Sequence, residues 1–174
     1  RPRVQAATER ALAAGTLGPI GTREECVHEA GHGFRLRIVA SLARKQGAQR
    51  RAAETGFDRD PFLPPYEDGL YVGRVPPDHV GLLNKFPVLA DHLLVVTAAP
   101  APQEDALTVA DCEALLRTLA AGAGLAFYNA GTVAGASQGH RHLQWVPLDQ
   151  PPPLAEAIGR GAEWPFPLAS EPLP

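Results

Sequence analysis

The sequence contains no methionine, only two cysteines and no long apolar run. Because methionine is absent, we expect that residue 1 is not the start of translation. Cys26 and Cys112 lie far apart and lack the spacing of a metal site, which is typical of a protein from a reducing compartment. No apolar stretch approaches the ~20 residues needed to cross a bilayer, and no signal peptide is visible. We therefore expect a cytoplasmic protein with no membrane partner.

The sequence also lacks a large excess of either acidic or basic residues, with 19 Asp and Glu against 16 Lys and Arg. The net charge of −3 over 174 residues argues against a general nucleic-acid binder. An apolar content of 45% in a chain of this length is enough for one domain with its own core. Six basic residues nevertheless follow Phe34 without an intervening acid: Arg35, Arg37, Arg44, Lys45, Arg50 and Arg51. This cluster is either a solvated face with a loop or, at Lys45 at least, a contact for an anionic ligand.

Local patterns predict many short strands and few helices. A composition rich in Ala, Arg, Glu and Leu predicts a helix over 2–14 that ends at Gly15, and the spacing of apolar residues predicts a second helix over 109–121. Thr108 and Asp111 occupy the two positions of a capping box at the start of that second helix. Its apolar stripe is expected to face the core, and consists of Val109, Cys112, Leu115, Leu116 and Leu119.

The strand predictions cover residues 34–39, 70–75, 80–84, 92–98, 125–128 and the run 139–148. Most of these strands come in adjacent pairs, which favours an antiparallel sheet in an α+β fold. We expect one domain over residues 1–150, with a flexible loop over 45–60. Residues 151–174 are rich in proline and predict an extended tail or the start of a further segment.

The run 139–148 carries the most informative pattern, with His140, His142 and Gln144 at every second position. Side chains alternate between the two faces of a strand, so these three are expected to point the same way. A loop of mostly small residues, 130–138, leads into the run. Such a loop lets backbone N–H groups approach phosphate oxygens, while an imidazole supplies a nucleophile. The combination suits attack on a phosphorus atom.

These segments resemble the histidine-triad superfamily in its transferase branch, in particular the diadenosine tetraphosphate phosphorylase family, also called ATP adenylyltransferase. The resemblance runs from about residue 11 to 148, through 82–88, 92–97, 124–129 and 135–148, with a weaker match at 60–66. It implies a histidine-triad-like antiparallel sheet with a few packed helices. It also implies phosphorolysis of diadenosine tetraphosphate to ATP and ADP through a nucleotidyl-histidine. Family members are longer, so we expect this chain to be the N-terminal part of such a protein.

The resemblance and the chemistry of the side chains together assign three catalytic residues. His142 is expected to be the nucleophile. His140, through its ring or its carbonyl, is expected to fix the tautomer of His142. Gln144 is expected to donate its amide N–H to a phosphoryl oxygen. The hydrolase branch has a histidine at this third position, and glutamine cannot transfer a proton, so Gln144 favours transfer over hydrolysis.

The resemblance also implies substrate contacts. It assigns them to Lys45, Asn84, Lys85, Asn129, Gly135, Ala136, Ser137, Gln138 and Gln144. His92 matches a family histidine for which packing and ligand binding are both open. The expected partners are a dinucleoside polyphosphate, ATP, ADP and phosphate. No tightly bound cofactor or dedicated metal site is expected, although Mg²⁺ is expected to enter with the polyphosphate. The oligomeric state is left open.

Other interpretations remain at this point. Residues 28–32 formally match the zinc-protease pattern H-E-x-x-H, which requires both histidines on one face of a helix and a third ligand. Gly31 and Gly33 weaken such a helix, and the following residues alternate as a strand, although Glu24 and Glu25 could start a short helix. A zinc protease is therefore disfavoured. A histidine-triad transferase or hydrolase acting on another nucleotide, and a nucleotide-binding module without turnover, are the remaining alternatives.

Overall fold

The computed structural model describes residues 1–29, 31–39, 59–159, 161, 164 and 169. In chain order, the elements in these residues are α1 (Pro2–Ala13), β1 (Thr22–Glu29), β2 (His32–Val39), β3 (Tyr71–Val75), β4 (His79–Leu83), β5 (Leu93–Thr97), α2 (Val109–Ala120), β6 (Gly124–Phe127), β7 (His142–Pro147) and α3 (Pro153–Gly159). None of the helices in this part of the chain has the length and apolar character of a membrane span.

A five-stranded antiparallel sheet in the order β3-β4-β5-β7-β6 forms the centre of the fold. Strand β7 lies between β5 and β6, and Pro147 ends it. Strands β1 and β2 form a separate antiparallel hairpin, and α3 packs on β2. The prediction of an α+β fold built on an antiparallel sheet is confirmed, as are the helices predicted over 2–14 and 109–121.

The alternation of side chains along β7 divides the sheet into two faces. Leu143 and Trp145 are 0% and 1% exposed and pack against α1 and α2. His142 and Gln144 face the opposite side, where Phe62 covers part of the sheet. A second cluster of buried residues lies on that side, made of Phe62, Val80, Leu82, Leu94 and Val96. Helices α1 and α2 thus close one face of the sheet and leave the other for a cavity.

The prediction that the apolar stripe of α2 faces the core is wrong. Val109 is 85% exposed, and Leu116 and Cys112 are exposed as well. The fully buried positions of the helix are Asp111, Ala114 and Thr118, with Leu115 and Leu119 half-buried beside them. The reason is that the acidic Asp111 must face the sheet to meet a buried arginine there, and this turns the helix away from its most apolar stripe.

Asp111 joins α2 to the strand that carries the predicted nucleophile. Its Oδ2 accepts a hydrogen bond from Arg141 Nη1 at 3.1 Å, and its Oδ1 lies 2.9 Å from His79 Nε2. The predicted capping box is confirmed on both sides, since Asp111 N–H donates to Thr108 Oγ1 and Asp111 Oδ2 accepts from Thr108 N–H. One carboxylate therefore caps the helix and compensates a buried cation.

The region of the H-E-x-x-H pattern is a β-hairpin. His28 lies on β1 and pairs with Gly33 of β2, so His28 and His32 do not share the face of a helix. The possible helix start at Glu24 is wrong, because Glu24 belongs to β1 and forms ion pairs with Arg37 and Arg35 across the hairpin. The predicted loop over 45–60, including Lys45, lies outside the described residues up to position 58.

The expectation of an extended tail is wrong for residues 153–159, which form α3. A proline is compatible with the first turn of a helix, because its φ is already helical and it lacks an N–H that would stay unpaired there. Three consecutive prolines therefore do not prevent a helix from starting at the last of them.

Replacing Asp111 by alanine is expected to destabilise the protein by about 3 kcal/mol, because the buried Arg141 then keeps only its longer ion pair, at 3.4 Å, with the exposed Asp105. Burial by itself disfavours the charged form, but the hydrogen bonds from Thr108 and His79 and the charge of Arg141 outweigh it and lower the pKa of Asp111 below its ordinary 3.8. Its contribution is therefore present above pH ~4 and is lost as the pH falls through the lower folded pKa.

Urea denaturation of wild type and Asp111→Ala between pH 2 and 7 measures both effects. Glu113→Gln is the matched control on the same helix, because it removes only an exposed pair with Arg117 that contributes about 0–1 kcal/mol. Equal losses in the two variants at pH 7 contradict the structural role of Asp111.

Candidate active site

A cavity of about 700 Å³ lies on the face of the sheet that the helices leave open. It combines the ends of β4 and β7 with the segment 59–67 and the loop 129–138. Nine of the residues predicted to form the site line it: Asn84, Lys85, Asn129, Gly135, Ala136, Ser137, Gln138, His142 and Gln144. Of the remaining two predicted residues, His140 is not among the lining residues and Lys45 lies outside the described residues.

His142 begins β7 and is 4% exposed. Its Nδ1 lies 2.8 Å from the carbonyl oxygen of His140. A carbonyl only accepts hydrogen bonds, so Nδ1 must carry a proton, and in the neutral ring the lone pair is then on Nε2. The ring of Phe62 contacts the imidazole edge-on, with centroids 5.0 Å apart. The local fold thus selects the tautomer in which the nitrogen remote from the backbone is the nucleophilic one.

Burial also keeps this imidazole neutral. Burial lowers the pKa of His142 below 6.5, and repulsion from His140 adds to the effect, while the hydrogen bond to the His140 carbonyl opposes it. A neutral imidazole is the nucleophilic form. The surroundings of His142 therefore favour its neutral form, which is the form that the predicted role as nucleophile requires.

A chain of hydrogen bonds fixes which end of the Gln144 amide faces the cavity. Phe86 N–H donates to Asn84 Oδ1 at 3.1 Å, which leaves Asn84 Nδ2 to donate to His92 Nδ1 at 3.3 Å. His92 Nε2 then carries the proton and donates to Gln144 Oε1 at 3.0 Å. Because the first donor is a backbone N–H, every later group has one orientation, and the Gln144 NH₂ group is left as the donor toward the cavity.

His92, for which packing and ligand binding were both open, therefore orients Gln144. Burial lowers its pKa and the neighbouring His142 lowers it further, against the opposing hydrogen bond with Gln144. A neutral ring is what the chain requires, since a proton on Nδ1 would face the Asn84 NH₂ group.

The side chain of His140 is occupied away from the cavity. Its Nδ1 lies 2.6 Å from Asp60 Oδ2, and its Nε2 lies 2.8 Å from the Thr97 carbonyl oxygen. No ring nitrogen remains to touch a substrate. The geometry agrees with the second of the two predicted alternatives, in which the carbonyl of His140 fixes the tautomer of His142. The ring instead ties segment 59–67 to the sheet, because Asp60 also accepts a hydrogen bond from Phe62 N–H.

The small-residue loop is built differently from the prediction at two positions. The N–H groups of Gly135 and Ala136 donate within the loop, to the carbonyls of Thr132 and Gly131 at 3.0 Å each. Gly135 has a φ of +96°, which favours glycine. Within the described residues, the N–H groups and side chains of Ser137 and Gln138 stay available as donors at the cavity. The tight turn therefore presents the next two residues rather than its own amides.

Charged groups at the cavity are few in the part of the chain that the structure describes. Lys85 forms a 2.6 Å ion pair with Glu67, and Arg59 donates to the Pro65 carbonyl at 2.8 Å. Both cations line the cavity, and Glu67 is the one acid among the described lining residues. An anionic ligand thus meets two cations, of which one is already paired with a carboxylate.

Sequence reasoning assigned no role to several residues that build the site. Phe62 and Tyr66 lie within the segment 60–66, whose weak resemblance was the available signal. Arg59 carried no signal, since it lies at the end of a polar stretch. Gln103 is buried behind His142, and nothing in its alanine- and proline-rich surroundings marks it.

The ring protons of His142 and His92 are expected to titrate below 6.5 in the folded protein, because burial lowers both pKa values. The unfolded chain takes up these protons first, so folding stability falls as the pH drops below about 6.5. Two-dimensional NMR of the ring resonances between pH 4 and 8 measures the midpoints, with the same chain in urea as the reference. A folded midpoint at or above the urea value contradicts the assignment.

Comparison with known proteins agrees with this architecture. A family model described as the Ap4A phosphorylase N-terminal domain matches residues 1–158. Diadenosine 5',5'''-P1,P4-tetraphosphate phosphorylase 2 of Saccharomyces cerevisiae is 32% identical over 126 residues, which is 65% of this chain and 38% of that protein. Crystal structures of yeast Ap4A phosphorylase Apa2 with AMP and with Ap4A superpose with TM-scores of 0.72 and 0.73, at 24% and 23% identity.

The superpositions cover 98% of this chain and 58% of each Apa2 chain, and at this identity they support the fold. The chain thus spans about two fifths of the curated relative and somewhat more than half of the solved ones. The family match over residues 1–158 agrees with the resemblance inferred from the residues, and the chain belongs to the Ap4A phosphorylase N-terminal domain family.

Proposed function

We propose that this chain is the nucleotidyl-transfer part of a dinucleoside tetraphosphate phosphorylase, which converts diadenosine tetraphosphate and phosphate to ATP and ADP. The observation that carries the proposal is the tautomer of His142: its Nδ1 proton is held by the His140 carbonyl, while its ring lines a cavity of about 700 Å³. This volume is typical of sites for drug-sized ligands.

The cavity is lined by both apolar and polar groups, which suits a nucleotide. Its apolar wall comes from Pro61, Phe62, Leu82 and Leu94, with Tyr66 beside them, and provides a surface for a base. Its polar side carries Lys85, Ser137 and Gln138, whose donors suit phosphate oxygens. His142 lines the same cavity, and in this proposal it faces the α-phosphate that joins the nucleoside to the polyphosphate.

The reaction proceeds in two displacements. In the first, His142 Nε2 forms a bond to an α-phosphorus, and the bond from that phosphorus to the bridging oxygen breaks, so that ATP leaves. In the second, an oxygen of inorganic phosphate attacks the same phosphorus, the N–P bond breaks, and ADP leaves. Gln144 donates its amide N–H to a phosphoryl oxygen on which charge develops. Glutamine cannot act as an acid or a base. This favours phosphate over water as the acceptor of the nucleotidyl group.

Divalent metal belongs to the proposal as a companion of the substrate. A dinucleoside tetraphosphate carries several negative charges, and the described lining residues offer Arg59 and a Lys85 already paired with Glu67. Mg²⁺ bound to the polyphosphate supplies the remaining charge compensation. A cytoplasmic location is part of the same proposal, and it is supported by two separate, unpaired cysteines.

His142→Ala is expected to reduce phosphorolysis at least about a thousandfold, because it removes the nucleophile. The products formed from diadenosine tetraphosphate, Mg²⁺ and phosphate are separated by anion exchange. ATP and ADP should appear only when phosphate is present. His28→Ala is the matched control, since His28 is exposed on β1 and outside the cavity. Formation of ATP and AMP without phosphate, or an active His142→Ala, contradicts the proposal.

Gln144→Leu and Gln144→Glu separate donation from simple packing. The leucine variant removes the donor and is expected to lower turnover about 10²–10³-fold. The glutamate variant keeps the size of the side chain and an acceptor for His92, yet turns a carboxylate toward phosphate oxygens. It is expected to be at least as impaired. Near-normal turnover by Gln144→Glu shows that no N–H donor is needed at this position.

A further inference from the structure

Gln103 is 1% exposed, which is unusual for a glutamine. It lies in the connection between β5 and α2 and does not line the cavity. A buried amide is costly unless its donors and acceptor are all bonded. The side-chain hydrogen bonds of Gln103 therefore account for its burial.

The Gln103 amide binds the backbone of His142 on both sides. Gln103 Oε1 accepts a hydrogen bond from His142 N–H at 2.7 Å, and Gln103 Nε2 lies 3.2 Å from the His142 carbonyl oxygen. The same Nε2 donates to the Asn129 carbonyl at 2.8 Å. One side chain thus contacts both the predicted nucleophile and a predicted substrate-binding residue.

The sheet register explains what this amide replaces. Strand β6 pairs with β7 up to Phe127, which lies opposite Gln144. Continuing the register would place Asn129 opposite His142, as a direct backbone pair. The Gln103 amide instead lies between these two backbones and takes the position of the missing strand neighbour. It therefore holds the chain of Asn129 away from β7 at the point where the cavity begins.

The backbone of Gln103 also holds the other end of the small-residue loop. Its N–H donates to the Gly139 carbonyl at 2.9 Å, and its carbonyl accepts from the hydroxyl of Tyr128. Residues 128 and 129 enter the loop, and Gly139 leaves it. Gln103 thus joins the entry of the loop, the exit of the loop and the first residue of β7.

We propose that Gln103 is a positioning residue: its amide separates the backbones of Asn129 and His142 and so sets the place of the loop 129–139 relative to the nucleophile. The consequence for catalysis rests on the proposed function, whereas the positioning itself does not. A displacement of ~1 Å at a reacting centre can reduce the rate about a hundredfold. Removing the amide is therefore expected to affect the chemical step and not only stability.

Gln103→Leu tests this, because leucine is close to glutamine in volume and makes none of the three side-chain hydrogen bonds. The readout is the single-turnover rate of the nucleotidyl-histidine adduct at saturating diadenosine tetraphosphate, per folded molecule counted by calorimetry. We expect a fall of about a hundredfold.

Thr118→Val is the matched control, since it removes a buried side-chain hydrogen bond to the Ala114 carbonyl in α2, on the other face of the sheet. We expect it to form the adduct at the wild-type rate.

Amide hydrogen exchange in the wild-type chain gives a second readout that needs no activity and no folded variant. His142 N–H, bonded to Gln103 Oε1, is expected to exchange as slowly as the amides of Leu94 and Val95 inside the sheet. In Gln103→Leu, if folded, this amide and those of residues 131–139 should exchange faster while α2 is unchanged.

The outcomes separate the two proposals. Two outcomes overturn the positioning inference and leave the proposed function intact. One is a folded Gln103→Leu that forms the adduct at the wild-type rate. The other is a wild-type His142 N–H that exchanges as fast as the amide of the exposed Val133. If neither wild type nor Thr118→Val forms an adduct, the proposed function fails in this chain. The exchange measurement then decides the inference about Gln103 by itself.

Discussion

The structure depends on the alternation of side chains along β7. Successive residues of a strand point to opposite faces, so Leu143 and Trp145 must enter the helical side when His142 and Gln144 face the cavity. Burial of Leu143 and Trp145 against α1 and α2 therefore holds the two cavity-facing side chains in register. A slip of one residue would reverse both faces at once, which couples the stability of the core to the integrity of the site.

Three hydrogen-bond arrangements then organise the residues in and beside the site. The His140 carbonyl selects the tautomer of His142, and the chain from Phe86 N–H through Asn84 and His92 selects the orientation of Gln144. On the opposite face, Asp111 compensates Arg141 beside the same strand. Each arrangement starts from a group whose hydrogen-bonding direction is unambiguous, a backbone carbonyl, a backbone N–H or a carboxylate, so the site is organised before any ligand binds.

Sequence reasoning succeeded where the signal is local and failed where distant segments compete. The capping box of α2 follows from residues three positions apart, and its presence was predicted with its start. The buried face of α2 was not, because the demand of Arg141 for Asp111 outweighs the apolar stripe that includes Val109 and Leu116. The hairpin β1–β2 was half predicted, since the charged residues of β1 obscure its alternation, and Glu24 among them is explained only by its ion pairs with Arg35 and Arg37 of β2.

The sequence by itself determined the faces of β7, the N-terminal cap of α2 and the chemical types available at the site, because these follow from backbone geometry over a few residues. The tertiary structure decided which of those groups meet. Gln103 reaches His142 across 39 positions, His92 reaches Gln144 across 52, and Asp60 reaches His140 across 80. Such contacts exist only after the sheet has been ordered as β3-β4-β5-β7-β6 and its faces have been packed. No local pattern encodes them, since each side chain is compatible with many other partners until the packing excludes them.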